Sequence, residues 1–474
     1  MVFSSLEFIF IFLPIFFLIY YLVPKKMRNG VLFGGSLLFY YLGSSKAPAY
    51  FLLFVISLAF NYAIAICIDN RNNRKHYSRS ARGWLILGVA LNLAMLALFK
   101  YSADIFYGLN ALLGQSFLGL ELPLSGWVLP LGISFYVFRA IAYLVDVYRK
   151  QLHADKSFIR FGAFFAAFPH LTAGPIVRYR DMARQLRRHE LSLDCVLDGV
   201  RTFIIGLGMK ALISDNIYGI WSQVCTLGLD GISTPLAWLS IIGYSIYIFF
   251  DFAGYSLMAI GLGKMMGFSL PQNFNAPYLS ITMTEFWRRW HITLGSFYRD
   301  YVYIPLGGSR VSKPRLVLNT LAVWVLTGIW HGSTLNFLLW GLFLFAVIIA
   351  EKFLYGWFME KHRPLGHIYM LLLIPISWSF FAISDAKELV AFWGQLFPFF
   401  GGASIPATDF VDVGLGFLPY ILAGIVLCLP FVPRIYEKIK KIPLLGDVLL
   451  CLILAASIYF ISKGLGNPFL YGGF

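Results

Sequence analysis

AYFLLFVISLAFNYAIAICI, residues 49–68, is followed within a few positions by Arg71, Arg74 and Lys75. An uncharged run of this length, folded as a helix, is long enough to cross the roughly 30 Å hydrocarbon core of a bilayer. A helix is the form expected there, because it satisfies its own backbone hydrogen bonds where water cannot. The basic residues that close the run fit the positive-inside pattern. Apolar runs recur at 8–23, 31–43, 84–99, 129–147, 158–176, 200–213, 235–262, 316–330, 334–351, 366–383, 415–433 and 445–463. Several fall short of the roughly 20 residues of a full span, so 31–43 and 158–176 read as short, tilted or re-entrant pieces. The expected fold is an all-α integral membrane protein of about eleven transmembrane helices with re-entrant and interfacial helices besides.

Composition agrees. Of 474 residues 59% are hydrophobic and 13% are charged, against about 25% charged in an average soluble domain. Too little polar surface is present to cover that apolar mass in water. The net charge of +15 sits in short blocks between apolar runs and comes with no nucleic-acid-binding motif, so no nucleic-acid partner is expected. Cys67, Cys195, Cys225, Cys428 and Cys451 form no CxxC pair. They read as small core residues, neither a disulfide frame nor a metal site.

The first run has no Lys or Arg before it and Lys25, Lys26 and Arg28 after it. That is the reverse of a secretory signal. It predicts a retained helix, an N-terminus outside the cell membrane, and basic blocks at 71–82, 178–188, 288–315 and 434–441 on the cytoplasmic face. The segments 101–128, with an interfacial helix, and 385–412 then lie outside. The chain reads as one polytopic domain, 1–474, with N-terminal helices in 1–128, a polar core in 129–341 and C-terminal helices in 342–474.

That polar core departs from a plain bundle. Asp251 lies inside an apolar run, in FFDFAGYS. A charge at that depth is costly and must face protein or water. It reads either as a substrate or tunnel contact or as a buried carboxylate bonded to an arginine or to helix-end amides. QNFNAPYLS, 272–280, breaks the helix and contains Asn273. TEFWRRWHITLGSFYRDYVYIPLGGSR follows at 284–310, where Trp287, Trp290 and Tyr298 alternate with Arg288, Arg289 and Arg299. It suits an interfacial helix, or the wall of a cavity for an anionic ligand, since arginine forks donate paired hydrogen bonds to phosphate. Gly307 and Gly308 permit a tight turn after it. TGIWHGSTLNFLLWG, 327–341, places His331 beside Trp330, with Gly328, Gly332, Ser333 and Asn336 offering space and hydrogen-bonding groups. Imidazole is an acid and base near neutral pH, so His331 is the leading candidate for chemistry. His291 is the second, and His170, in FPHLTAGPIVR, sits in what reads as a broken helix.

These segments, with LPLGISFYVFRAIAYLVDVYR (129–149), FPHLTAGPIVRY (168–179) and YIFFDFAGYSLMAIGLGKMMGF (247–268), resemble the membrane-bound O-acyltransferases in sequence and order. YIPLGGSR is most similar to the subgroup that O-acetylates exported polysaccharides such as alginate. D-alanyl transferases of teichoic acid match this segment less well, and peptidoglycan O-acetylation is a further alternative. The resemblance implies a ring of helices around a thin centre with a tunnel. It implies that His331 is catalytic and that His291 serves catalysis or the donor side. It also implies a cytoplasmic acyl thioester donor, acetyl-CoA or a relative, with no bound cofactor. Substrate or donor contacts are expected from Asp251, Asn273, Trp287, Arg288, Arg289, Trp290, Tyr298, Arg299, Trp330 and Asn336. The acceptor is a polysaccharide hydroxyl, reached directly or through an extracellular partner protein. Leu344, Phe345, Ala382 and Arg139 depart from the family pattern. A transporter, or a scaffold of an export complex, is the rival class, since Asp251 and broken helices suit it too.

Overall fold

The computed structural model describes residues 2–45, 47–74, 78–113, 127–400, 405–440, 442, 444–464 and 469. All regular structure among them is helical. Seven of these helices are long and apolar enough to cross a membrane, against the about eleven expected. They are Pro48–Asn72, Arg79–Lys100, Thr234–Met265, Leu335–Lys361, Arg363–Ala382, Phe410–Leu427 and Leu445–Ser462, with a shorter apolar helix at Phe8–Leu22.

Part of the difference lies in runs that protein, not lipid, surrounds. Ile133–Tyr148 has 16 residues, and 14 of them are buried. A helix covered on every side needs no lipid-length run. The 158–176 run breaks after the nine-residue helix Phe158–Ala166 and continues as one 3-10 turn, Phe168–His170. The 200–213 run is shared between the helix Leu193–Gly208 and a π-helical turn, Met209–Ser214, which leads into Asp215–Leu227. Part of 101–128 forms the helix Ser102–Leu113, while 114–126 and Lys75 fall outside the described residues.

The chain packs as two compact units. One comprises Met1–Val200 with Ala259–Pro271, the other Arg201–Met258 with Gln272–Leu470. In the first, Asn61 and Asn92 exchange amide hydrogen bonds of 2.8 and 3.2 Å across the antiparallel pair Pro48–Arg74 and Arg79–Lys100. Both side chains are buried, and such a pair fixes the register of two apolar helices. Arg139 is wholly buried and donates to His170 Nδ1. The Asp155 carboxylate accepts from Arg160, from the Ser157 amide at 2.8 Å and from the Tyr179 hydroxyl.

In the second unit the expected arginine partner of Asp251 is a lysine. Lys210 Nζ lies 2.6 Å from Asp251 and 2.8 Å from Asp215, with all three side chains at most 5% exposed. The π-helical turn carries Lys210 to that position. Nearby, Leu193–Gly208 and Thr234–Met265 approach backbone to backbone. A Cβ on Gly206 would stand 2.5 Å from the Gly254 carbonyl oxygen, and one on Gly254 would stand 2.8 Å from that of Gly206. Small residues at such crossings let helices gain dispersion contact that lipid cannot supply.

None of the five cysteines is a core residue. Cys195, Cys225 and Cys451 are exposed, while Cys67 and Cys428 are half-buried. A thiol is apolar enough to face lipid at little cost, so an apolar neighbourhood in sequence does not separate core from membrane-facing positions.

Gly206→Val should destabilise the protein by about 1–3 kcal/mol, because the opposing atom is backbone and cannot turn aside. Thermal unfolding in detergent would show it as a lowered midpoint. An unchanged midpoint would contradict the close crossing.

Candidate active site

The second unit contains a cavity of about 820 Å³. Its wall includes Trp287, Arg288, Trp290, His291, Tyr298 and Arg299, six of the residues singled out in sequence. The polar loop that was expected as one interfacial helix is instead broken in two. Met283–Arg289 starts at Thr282, whose hydroxyl accepts from the Glu285 amide at 3.1 Å. Ile292–Tyr298 follows, and a π-helical turn, Arg299–Tyr303, continues it. Between the helices His291 takes the left-handed conformation, φ 43°, which costs a residue with a Cβ about 1–2 kcal/mol. Gly307 and Gly308, at φ 111° and 61°, form the turn beyond, as expected.

Asn273 holds the break in place. Its Oδ1 accepts from the Thr293 amide at 3.2 Å, from the Thr293 hydroxyl at 2.9 Å and from His291 Nδ1 at 3.1 Å. Its backbone carbonyl accepts from the Ile292 amide at 2.9 Å, and the Asn275 amide donates to the Arg289 carbonyl at 2.9 Å. The Thr293 amide is an unambiguous donor, so the oxygen of Asn273 must face it. His291 Nδ1 therefore carries a proton, and Nε2 carries the lone pair of the neutral ring. Burial holds the ring neutral by lowering its pKa to about 3. The ring is only 2% exposed.

Glu351, another acid in an apolar run, caps the loop's first helix. Its carboxylate accepts from the Met283 amide at 2.5 Å, the Thr284 amide at 2.9 Å and the Thr284 hydroxyl at 2.7 Å. The Tyr369 hydroxyl adds a bond of 3.1 Å. An anion bonded to helix-start amides also meets the positive end of the helix dipole. Glu351 lines the cavity, and so do Trp324, Lys352 and Arg363. Sequence reading passed over these four. The signal was present for Glu351: an acid closing an apolar run faces the same cost that drew attention to Asp251.

The arginines divide. Arg289 is bound to Glu285 at 2.6 Å and is not on the cavity wall. Arg299 pairs with Asp300 at 2.7 Å. Arg288, Lys352 and Arg363 are exposed cations on the wall. Of the three acids there, Glu285 and Glu351 are engaged as described, which leaves Glu360 to oppose them. The wall thus combines positive charge with Trp287, Trp290 and Trp324.

His331 is buried and ends the helix Lys313–His331. It is not on the cavity wall. Trp330 is the neighbour shared by both histidines, its ring 6.3 Å from His291 and 4.6 Å from His331 between centroids. Trp340 and Phe381 meet His331 edge to face at 5.0 and 5.1 Å. The glycines expected to open space beside His331 are used for packing. A Cβ on Gly328 would lie 2.5 Å from the Phe337 carbonyl oxygen, and one on Gly332 would lie 2.3 Å from the Phe337 ring. Asn336 donates to the Phe380 carbonyl at 2.7 Å and so ties its helix to Arg363–Ala382. Asp251 and Asn273 are likewise absent from the wall: Asp251 serves the Lys210 cluster and Asn273 the loop.

A membrane-embedded helical protein with one buried histidine in the wall of a cationic, tryptophan-lined cavity, and a second sharing Trp330 with it, is suited to moving a group from an anionic carrier. The chain belongs to the membrane-bound O-acyltransferase family, whose sequence profile matches residues 147–383. It is therefore an acyltransferase of the membrane. It is 39% identical to a probable alginate O-acetylase of Azotobacter vinelandii, over 84% of this chain and 78% of that one. A probable alginate O-acetylase of Pseudomonas putida is 34% identical over 99% of both chains. A peptidoglycan O-acetyltransferase of Helicobacter pylori is 34% identical over 82% of this chain and 78% of its own.

A histidine with a folded pKa near 3 and an unfolded one near 6.5 contributes stability that is complete above about pH 6.5. As pH falls from there toward 3, unfolding takes up a proton and that contribution is lost, by at most about 1.4 kcal/mol per pH unit. Melting midpoints in detergent should therefore fall less steeply on the acid side for His291→Gln than for the wild type. Parallel curves would contradict the neutral buried ring.

Proposed function

We propose that the protein transfers an acetyl group from a thioester donor on the cytoplasmic side to hydroxyls of a cell-wall or exported polysaccharide. Acetyl-CoA is the proposed donor. The observation that carries this reading is the cavity wall, where Arg288, Lys352 and Arg363 share one surface with Trp287, Trp290 and His291. A thioester carried on a phosphorylated nucleotide arm needs cations for its phosphates and apolar walls for its chain. The names of the similar proteins support acetyl as the group and a polysaccharide as the acceptor.

In this reading the donor's phosphates meet the wall cations and its acyl carbon lies between the two histidines. His331 or His291 takes the proton of the acceptor hydroxyl, because an alcohol attacks poorly at neutral pH without a base. The oxygen bonds to the acyl carbon, the carbon–sulfur bond breaks, and the leaving thiolate receives the proton from the imidazolium. Where His291 is the base, Asn273 orients it so that Nε2 is the acceptor of that proton. An oxyanion forms on the way and needs a donor. The amide groups of Asn336 and Asn273 already donate to Phe380 and Ser256. The role therefore falls to an indole N–H of the tryptophan cluster.

The acceptor is reached directly or through an extracellular partner protein. The N-terminus lies outside the cytoplasmic membrane, with Lys25, Lys26 and Arg28 inside. Reporter fusions after Ser5 and after Gly30 should give opposite sidedness, and the same sidedness at both would contradict this orientation.

Purified protein reconstituted with its genomic neighbours and radiolabelled acetyl-CoA should label polysaccharide. His331→Ala and His291→Ala should each lower labelling by about 100-fold or more, as expected on losing a general base, while both variants elute normally in detergent. Full activity in His331→Ala would sink its assignment as base. Transport without acetyl transfer would support the transporter reading instead.

A further inference from the structure

The helix Tyr179–Arg188 is polar on one face and apolar on the other. Tyr179, Met182 and Leu186 are buried within the first unit. Arg180, Arg184, Arg187 and Arg188 are exposed on the opposite face. The reaction described above uses none of them.

Both ends of this helix are tied to places where apolar helices stop. At its last turn the Leu186 carbonyl accepts from Asn29 Nδ2 at 2.8 Å. Asn29 follows the exposed Lys25 and Lys26, which close the apolar helix Phe8–Leu22. At its first turn Arg180 donates to the Gln151 side chain at 3.0 Å. Gln151 lies three residues past Tyr148, whose carbonyl accepts at 2.9 Å from Asn72, the last residue of the Pro48–Asn72 span. The helix therefore runs along the level at which the Pro48–Asn72 span and the shorter apolar helix Phe8–Leu22 both end. That is the depth of lipid headgroups.

The face is cationic after its local partners are counted. Arg180 has Asp181 at 4.0 Å, and Arg188 has Glu190 at 3.9 Å. Exposed pairs at such distances neutralise weakly. Lys25, Lys26, Arg184 and Arg187 have no ion-pair partner among the described residues.

We propose that this face binds anionic phospholipid headgroups. Two features favour a lipid as the occupant. The cations stand at headgroup depth beside span ends, and the apolar side of the helix is already filled by protein, so it does not insert into the bilayer itself. Guanidinium groups on adjacent turns match the phosphodiester of a lipid in charge and geometry.

The purified full-length protein in detergent is titrated with fluorescent phosphatidylglycerol and with the matching phosphatidylcholine. Phosphatidylglycerol should bind at least about tenfold more tightly, and Arg184→Gln/Arg187→Gln should lower that affinity by about tenfold without changing the phosphatidylcholine value. Arg184→Lys/Arg187→Lys should keep most of the preference. Rising salt should erode it in the wild type, a readout that needs no variant to fold. Equal binding of the two lipids, or an unaffected double glutamine variant, would overturn the proposal. Displacement of bound lipid by millimolar inorganic phosphate would also overturn it, by making the site one for free phosphate.

Discussion

The candidate site depends on one side-chain oxygen. Asn273 Oδ1 receives three donors, two from Thr293 and one from His291. Those bonds hold a histidine in a left-handed conformation that it would otherwise leave. The break they fix redirects the chain from one short helix into the next and sets His291 into the cavity wall. The same oxygen decides which ring nitrogen carries the proton. Fold and proton chemistry meet in that single acceptor.

Around it, charges placed in apolar surroundings each have a defined structural use. Glu351 satisfies helix-start amides, and Asp251 shares Lys210 with Asp215. A buried ion loses several kcal/mol of hydration, so each must be compensated at short range. Lys210, Arg299 and Glu351 all sit on π-helical turns. A π turn inserts one residue and re-aims a side chain without ending the helix, which is why such turns gather where polar groups must be placed.

Much of the fold was legible. Long apolar runs closed by basic blocks became spans, because a bilayer leaves the backbone no alternative to a helix. The runs that failed as full spans, such as 129–147 and 158–176, are apolar because protein covers them. Hydropathy cannot tell a lipid neighbour from a protein neighbour, and the cysteines misled for the same reason. In the site, Trp287, Arg288, Trp290, His291, Tyr298 and Arg299 converge as one stretch of sequence because they are one stretch of loop. Lys352 and Arg363 come from a distant helix pair, and only folding reveals them. Lys210 could not be matched to Asp251 either, since 41 positions separate them. Gly328 and Gly332 looked like space and proved to be contact, a distinction that depends on where Phe337 lies.

The most direct measurement is a structure of the protein bound to a non-hydrolysable acetyl-CoA analogue. The expected result places the phosphates among Arg288, Lys352 and Arg363, with the acyl carbonyl beside Trp330 between His291 and His331. An analogue bound elsewhere, with this cavity left empty, would contradict the assignment of the cavity as the site of acyl transfer.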